Sequence, residues 1–155
     1  MSAGRRLDTD GRSLAARMPD IVAAEQAVLV IGRPVCPACQ VTGAGLDAIT
    51  QARPDVVVAF VEMWGPEDWR ARHEPGWPDG VSVSPSAVPA LALMRRGEVV
   101  ATRFGAVPAH DLDGWMSEHF GPADSPVPEG VTAAEQEVLD RTAARRAQHS
   151  AVKGR

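Results

Sequence analysis

Cysteine is scarce in this chain, which has only two among its 155 residues. Two cysteines are too few for a disulfide-stapled scaffold. Because they lie three positions apart, a bond between them would close too short a loop to stabilise a fold usefully. Long apolar runs are also missing, and no segment approaches the roughly 20 residues that a membrane-spanning helix needs. These absences exclude a small disulfide-rich scaffold and predict no membrane association.

A basic excess is missing as well. The formal net charge is −4 at pH 7 and the sequence pI is near 5.5, whereas nucleic-acid binders normally carry a strong positive charge, so we expect no nucleic-acid partner. Residues 1–12 contain Arg5 and Arg6 without an apolar stretch behind them. We therefore expect neither a secretory nor a twin-arginine signal, and interpret this segment as a polar, loosely ordered leader. The sequence predicts a soluble, cytoplasmic protein.

Two continuous apolar runs frame both cysteines. Residues 27–31 and 56–61 have the composition of strands that are covered on both faces of a sheet. The segment 40–52 between them favours a helix, so Cys36 and Cys39 lie at the start of the helix in a βαβ unit.

A second pair of strands follows later in the chain. Residues 90–94 and 98–104 flank a short turn that contains Gly97, a pattern typical of a hairpin. Pro108 then begins a last helix, which ends at Gly121.

The chain divides into four predicted segments. After the leader, we interpret residues 13–120 as one α/β domain, residues 121–130 as a proline-rich linker, and residues 131–155 as a C-terminal helix and tail. The apolar stripe of that helix is thin, so we expect it to bury little surface against the domain. Removing the chain from Asp124 onward is then expected to leave the fold largely intact.

Residues 64–86 are the hardest to place. Three of the four tryptophans of the chain lie in this stretch, at Trp64, Trp69 and Trp77. They form either an apolar rim that selects a ligand or a cover over the edge of the sheet. Large aromatic side chains are usually buried for packing, which favours the second interpretation.

The clearest chemistry belongs to the sequence Cys36-Pro37-Ala38-Cys39. The first turn of a helix offers unpaired N–H groups and the positive end of the helix dipole, and both favour a thiolate. A strand, a C-x-x-C pair and a helix are what thiol–disulfide exchange needs. Arg33 either lowers the pKa of the Cys36 thiol by its charge or is a solvated residue at the end of a strand.

Metal binding is the other use of a cysteine pair. A tetrahedral zinc site needs four nitrogen or sulfur ligands, so two histidines would have to complete it. None of the four histidines is paired at metal-ligand spacing, so the sequence favours redox use over a metal site: His73, His110, His119 and His149.

A second block of sequence supports the redox interpretation. Val88-Pro89 precede the predicted hairpin, and Gly105 follows it. Together with the cysteine motif, this order and spacing resemble the thioredoxin superfamily, specifically its thioredoxin-like dithiol oxidoreductases, over about residues 13–120. The resemblance implies an α/β fold with a central mixed sheet of about four strands flanked by helices, followed by a C-terminal helical extension.

The resemblance also implies roles for individual residues. It assigns Cys36 as the attacking thiol and Cys39 as the resolving thiol. Pro89 would be a cis-proline packed against the disulfide, and Val88 the residue whose backbone pairs with an extended substrate segment. The two residues between the cysteines would contribute to the same substrate-binding surface, namely Pro37 and Ala38.

The chain departs from the thioredoxin pattern at three points. Val35 stands where thioredoxins usually have tryptophan. Pro37-Ala38 replaces Gly-Pro and is closer to glutaredoxins, although this chain has no tyrosine, which glutaredoxins favour. The buried strand carboxylate that accepts a proton in thioredoxin should fall at Val30. Deprotonation of Cys39 then needs water or another group, for which Glu62 is the candidate.

From these residues we predict an intracellular protein-disulfide oxidoreductase that acts in electron transport and cell redox homeostasis. The redox-active Cys36–Cys39 pair is expected to need no cofactor. The expected partners are disulfide-bearing protein substrates and, as reductant, a thioredoxin reductase or a low-molecular-weight thiol system. We expect a monomer. Two alternatives stay open: a non-catalytic thioredoxin-fold adaptor, and a glutaredoxin-like reductase of mixed disulfides with small thiols.

Overall fold

Strands and helices alternate along most of the chain. The computed structural model describes residues 5–153. The elements within this range are β1 Arg5–Asp10, α1 Leu14–Val22, β2 Gln26–Gly32, α2 Pro37–Ala52, β3 Val56–Glu62, α3 Pro66–Ala71, β4 Ala90–Arg95, β5 Glu98–Phe104, α4 Ala109–Phe120 and α5 Ala133–Lys153. No helix in this range is long and apolar enough to cross a membrane.

The strands form one mixed sheet in the order β1-β3-β2-β4-β5. β1, β3 and β2 are parallel, whereas β4 is antiparallel to β2 and β5 is antiparallel to β4. β2 is central, and all of its residues after Gln26 are buried, as its continuous apolar run predicts. The α/β class and the mixed sheet are confirmed. Within residues 5–153 the sheet has five strands rather than about four.

Each face of the sheet carries its own core. One cluster joins α1 to alternate residues of β2 and β3, including Leu29 and Ala59. The other cluster joins α2 and α4 to the intervening residues, including Val30 and Val58. This strand alternation determines which side chains share a face with α2, the helix that carries the cysteines.

The tryptophans in residues 64–86 are divided between core and surface. Trp69 and Trp77 pack against the cluster on the α1 face. Trp64, two residues after the end of β3, is mostly exposed. The expected packing role therefore holds for Trp69 and Trp77 and not for Trp64.

The fifth strand lies in the segment predicted to be a loosely ordered leader. That prediction is wrong for residues 5–10, and residues 1–4 lie outside the described range. β1 pairs in parallel with β3, and its Leu7 is buried in the α1-face cluster. Arg6 lies over the Phe60 ring and donates to the carbonyl of Gly43 in α2 at 3.0 Å. Leu7 is the only apolar residue of this strand, because an edge strand with charged residues needs little apolar pattern.

α5 is packed on the domain, and the expectation that it buries little surface is wrong. Its Glu135 and Val138 are buried against the body of the protein. In the segment predicted to be a linker, Val127 joins the α2-face core, and the amide of Asp124 donates to the carbonyl of Ala52 at 2.9 Å. The linker and α5 therefore cover α2 instead of standing apart from it.

A glycine in α2 makes this close packing possible. A Cβ atom at Gly45 would lie 3.0 Å from Oε1 of Glu135 and 3.2 Å from Cβ of Ala109. These separations are tighter than ordinary van der Waals contact, so a side chain at this position would push α5 or α4 away. Gly45 is therefore the point where α2, α4 and α5 meet.

Candidate active site

The cysteine motif starts α2 immediately beyond the carboxyl end of β2. Cys36 is the N-cap residue of α2, in an extended backbone conformation, and Pro37 occupies the first turn. Proline suits this position because its fixed φ is helical and the amide hydrogen it lacks would have no partner there. The amide of Cys39 donates to Sγ of Cys36 at 3.2 Å. A sulfur in this place receives the hydrogen bond and the dipole that stabilise a thiolate.

Cys36 and Cys39 are joined by a disulfide, with their Cα atoms 5.2 Å apart. Cys36 keeps 7% of its surface exposed, whereas Cys39 is fully buried. An incoming thiolate or disulfide therefore reaches this pair only at Cys36. The unequal exposure matches the roles of attacking and resolving thiol that the resemblance assigns, and those roles remain proposals.

Gly32, the last residue of β2, lies directly beneath Cys39. A Cβ atom at Gly32 would be 2.7 Å from Cβ of Cys39 and 2.9 Å from its Sγ. Because both neighbouring atoms belong to a short, buried side chain, neither can move away easily. Glycine at this position thus allows the second cysteine to rest on the end of the central strand.

Pro89 lies at the same end of the sheet as the cysteines. The Val88–Pro89 peptide bond is cis, as predicted. β4 begins at the next residue, and Ala90 pairs with Ile31 of β2, so that one more step of this antiparallel register brings Pro89 opposite Gly32. Gly32 in turn lies beneath Cys39. The structure therefore brings the proline and the cysteine motif together, while substrate pairing by Val88 stays a prediction.

The other predicted site residues surround Cys36. Pro37 and Ala38 form the turn between the cysteines. Val35, which replaces the expected tryptophan, is strongly exposed. The carbonyl of Arg33 accepts a hydrogen bond from the amide of Cys36 at 3.3 Å. The Nε atom of Arg33 is buried without a hydrogen-bond partner among residues 5–153, and its electrostatic effect on Cys36 stays a prediction.

The position of the thioredoxin carboxylate is filled by an apolar side chain. Val30 is fully buried in the cluster beneath α2. Glu62, the last residue of β3, pairs in register with Gly32. Strand alternation directs it to the same face as Val58 and Phe60, which is the face covered by α2. Neighbouring strands are only about 4.8 Å apart, so Glu62 lies beside the strand end on which Cys39 rests.

The environment of Glu62 favours its neutral form. Partial burial is the main cause that raises the pKa of this carboxyl above its ordinary value, and the negative charge of Asp8 adds to the effect, whereas Arg6 opposes it. Asp10 lies in register with Glu62 on the other side. A carboxyl with a raised pKa exchanges its proton closer to neutral pH than an ordinary glutamate does.

Sequence reasoning missed the part that α5 takes in this end of the molecule. Pro37 and Ala38 form one end of an open groove whose far wall is α5, with Leu139 and Arg146 on that wall. A signal was present in the sequence. Glu135, the glutamate of the capping box that begins α5, is followed at helical spacing by Leu139, and this face of α5 is turned toward α2.

Comparison with known proteins gives structural likeness without sequence likeness. No protein-family model matches the sequence, and no curated protein resembles it significantly. Several solved structures share its fold. A mutant thioredoxin from Halobacterium salinarum superposes with a TM-score of 0.57 at 18% identity, covering 83% of this chain and 98% of that chain.

Two further structures agree with that likeness. A thioredoxin from Fasciola hepatica has a TM-score of 0.53 at 19% identity and covers 74% of this chain and 98% of its own. A chain of the complex between ferredoxin:thioredoxin reductase and thioredoxin f2 has a TM-score of 0.56 at 16% identity and covers 76% and 97%. At these identities the likeness establishes the fold. It leaves the chemistry to be argued from the residues.

Proposed function

We propose that this protein, which has the thioredoxin fold with a disulfide at Cys36–Cys39, is a thiol–disulfide oxidoreductase that reduces disulfides in other proteins. The observation that carries the proposal is the unequal pair: a partly exposed Cys36 at the N-terminus of α2 and a fully buried Cys39 bonded to it. An exchange enzyme needs one sulfur that meets the substrate and one that waits behind it.

The proposed cycle starts from the dithiol form. The Cys36 thiolate attacks one sulfur of a substrate disulfide, the substrate S–S bond breaks, and the first substrate thiolate leaves. Cys39 then loses its proton and attacks the Cys36 sulfur of this mixed disulfide, which releases the second substrate thiolate. Two electrons have passed to the substrate, and the protein is left with the Cys36–Cys39 bond.

The return to the dithiol requires a reductant, and no cofactor on this chain is part of the proposal. One of the structurally similar chains comes from a complex of thioredoxin with ferredoxin:thioredoxin reductase. By analogy with that pair, we propose a thioredoxin reductase or a low-molecular-weight thiol system as electron donor. A reducing compartment such as the cytoplasm, and a monomeric state, complete this proposal.

Turnover with a generic protein disulfide tests the function. With dithiothreitol as electron donor, the wild-type protein should accelerate insulin reduction well above the dithiothreitol background, measured as the turbidity of the released B chain. Cys36→Ser is the matched control and should fall to background, because it removes the nucleophile and leaves Cys39 in place.

Two other results would redirect the proposal. A wild-type protein that stays at background would favour the adaptor alternative. A protein inactive on insulin that reduces mixed disulfides of small thiols would favour the glutaredoxin-like alternative.

We also propose that Glu62 accepts the proton of Cys39 during resolution, since the carboxylate expected at Val30 is absent. Glu62 lies on the α2 face in register with Gly32, which supports Cys39. A base in this place converts the buried thiol to the thiolate that resolution requires, directly or through one water molecule.

Glu62→Gln should slow the resolving step by about tenfold or more at neutral pH, since general bases contribute on the order of a hundredfold or more. In the wild type the rate of this step should increase as pH rises through the pKa of Glu62. Because this pKa is raised, the increase should occur at a higher pH than an ordinary glutamate would give. In Glu62→Gln this increase should be lost, and the resolving rate should rise only at the higher pH where the Cys39 thiol ionises without a base. Acid-quenched single-turnover reactions over a series of pH values from mildly acidic to mildly alkaline, analysed by mass spectrometry, separate mixed-disulfide formation from resolution.

Asp8→Asn provides the control for the Glu62 experiment. Removing this negative charge should lower the pKa of Glu62, so the increase of the resolving rate with pH should remain but occur at lower pH. An unchanged pH profile in Glu62→Gln would leave solvent water as the proton acceptor.

A further inference from the structure

The groove between α2 and α5 lies beside the cysteine motif. Its volume is about 570 Å³, and Pro37 and Ala38, which lie between the two cysteines, form part of its lining. On the α5 side it extends from Glu135 to Arg146. These two residues are eleven positions apart, which corresponds to roughly 16 Å along a helix. An extended polypeptide of about five residues spans that length.

The lining of this groove is largely apolar and uncovered. Val131 and Leu139 keep 47% and 40% of their surfaces exposed, although both are large aliphatic residues. Val41 and Ala106 line the groove with them. Apolar surface that is clustered and open to solvent beside a reactive sulfur indicates a contact surface, because isolated exposed aliphatic residues would have no reason to gather there.

Two charged residues lie on the α5 wall. Glu135 is fully buried, and its Oε1 atom faces the amides of Thr132 and Ala109 at 3.4 Å each. Its Oε2 atom is buried without a hydrogen-bond partner among residues 5–153. Arg146 is exposed and forms no ion pair within those residues. Because Glu135 is enclosed by the protein, only Arg146 is available on this wall to a bound segment, and it offers a cation to an acidic side chain.

We propose that α5 is a substrate-specificity wall, and that the groove binds the extended, apolar segment next to the cysteine that Cys36 attacks in a protein disulfide. Because Glu135 packs on Gly45, about two turns of α2 beyond Pro37, the Arg146 end of α5 lies nearer to the cysteines. An acidic side chain next to the substrate cysteine therefore reaches Arg146, and an apolar side chain further along packs against Leu139. This inference rests on the proposed oxidoreductase function and adds its substrate class. The length of the groove fits a polypeptide better than a small thiol, whose few atoms would fill only the end near Pro37.

Peptide probes with a coloured leaving group test this inference. In each probe the single cysteine is joined to 5-thio-2-nitrobenzoate; the Cys36 thiolate attacks the peptide sulfur, the probe S–S bond breaks, and the nitrothiobenzoate anion leaves and is measured by its absorbance. One pentapeptide carries aspartate beside the cysteine and leucine at its end, and the other carries serine at both positions. The wild-type protein should react about tenfold faster with the first, the advantage expected for burying one aliphatic side chain.

Two variants of α5 with the same added charge separate the groove from the rest of the helix. Leu139→Glu should abolish the preference for the leucine peptide. Ala144→Glu, on the opposite side of the helix, should keep it. The free reagent 5,5′-dithiobis(2-nitrobenzoate) carries no peptide, so its rate with each protein measures the accessibility of Cys36. The preference is taken as the ratio of the two peptide rates within one protein, which removes any general change in the reactivity of Cys36.

Equal rates with the two peptides in the wild type, or a preference that survives in Leu139→Glu, would overturn the inference. Failure of the underlying function has a separate signature, because the wild type would then not exceed dithiothreitol in the insulin assay.

Discussion

Cys39→Ser should accumulate a mixed disulfide between Cys36 and its substrate that persists roughly a hundredfold longer, or more, than in the wild type. The reason is the position of the lost thiol. Cys39 is fully buried beside Cys36, and a group held in place reacts as though its concentration were far above the millimolar thiols in solution. Without it, only an external thiol resolves the complex.

The complex can be measured and its partners identified. Cell extract is passed over immobilised Cys39→Ser, and dithiothreitol should then release the proteins that have been captured. Mass spectrometry of the unreduced complexes should locate the bond at Cys36. Cys36→Ser is the matched control. It should retain no such proteins, because its remaining thiol has no exposed surface. Capture by Cys36→Ser and not by Cys39→Ser would reverse the two roles.

The parts of the fold that the sequence predicted are those with repeated local signals. β2 and β3 are unbroken apolar runs because helices cover both faces of the sheet. The β4–β5 hairpin turns at Arg96 and Gly97, which both have positive φ, and the glycine of this short turn is visible in the sequence. The cysteine motif and Val88-Pro89 belong to the same group, since each is a short, specific pattern.

The missed parts depend on contacts that no local pattern carries. Leu7 is the only apolar residue of β1, so the pairing of this strand with β3 leaves almost no periodic signal in the sequence. α5 buries a glutamate, which hydropathy counts as a surface residue. Glu135 is buried because its carboxylate faces the amides at the start of α4 and α5. The apolar stripe of α5 is too thin to predict packing against α2, so the sequence did not predict the groove beside Cys36.

Ending the chain at Ala123 should lower the free energy of unfolding by about 3 to 5 kcal/mol. The deletion removes Val127 and Val138, two buried aliphatic side chains that contribute about 1.5 kcal/mol or more each. It also uncovers the surface of α2 around Gly45, where Glu135 now packs. Domains of this size have total stabilities of roughly 5 to 15 kcal/mol, so the loss is a large fraction of the whole. Urea unfolding followed by circular dichroism measures it.

Ending the chain at Gln148 is the control for this deletion. Residues 149–151 are exposed, so the urea midpoint should stay close to that of the full chain. Ending the chain at Ala123 removes all of α5, whereas ending it at Gln148 removes only the last residues of the helix and leaves its buried face in place. If the protein ending at Ala123 unfolded at the same midpoint as the full chain, the contacts of Glu135 and Val138 with α2 would contribute nothing to stability. α5 would then be an attached helix, and the groove it forms beside Cys36 would lack the rigid wall that selection of an apolar substrate requires.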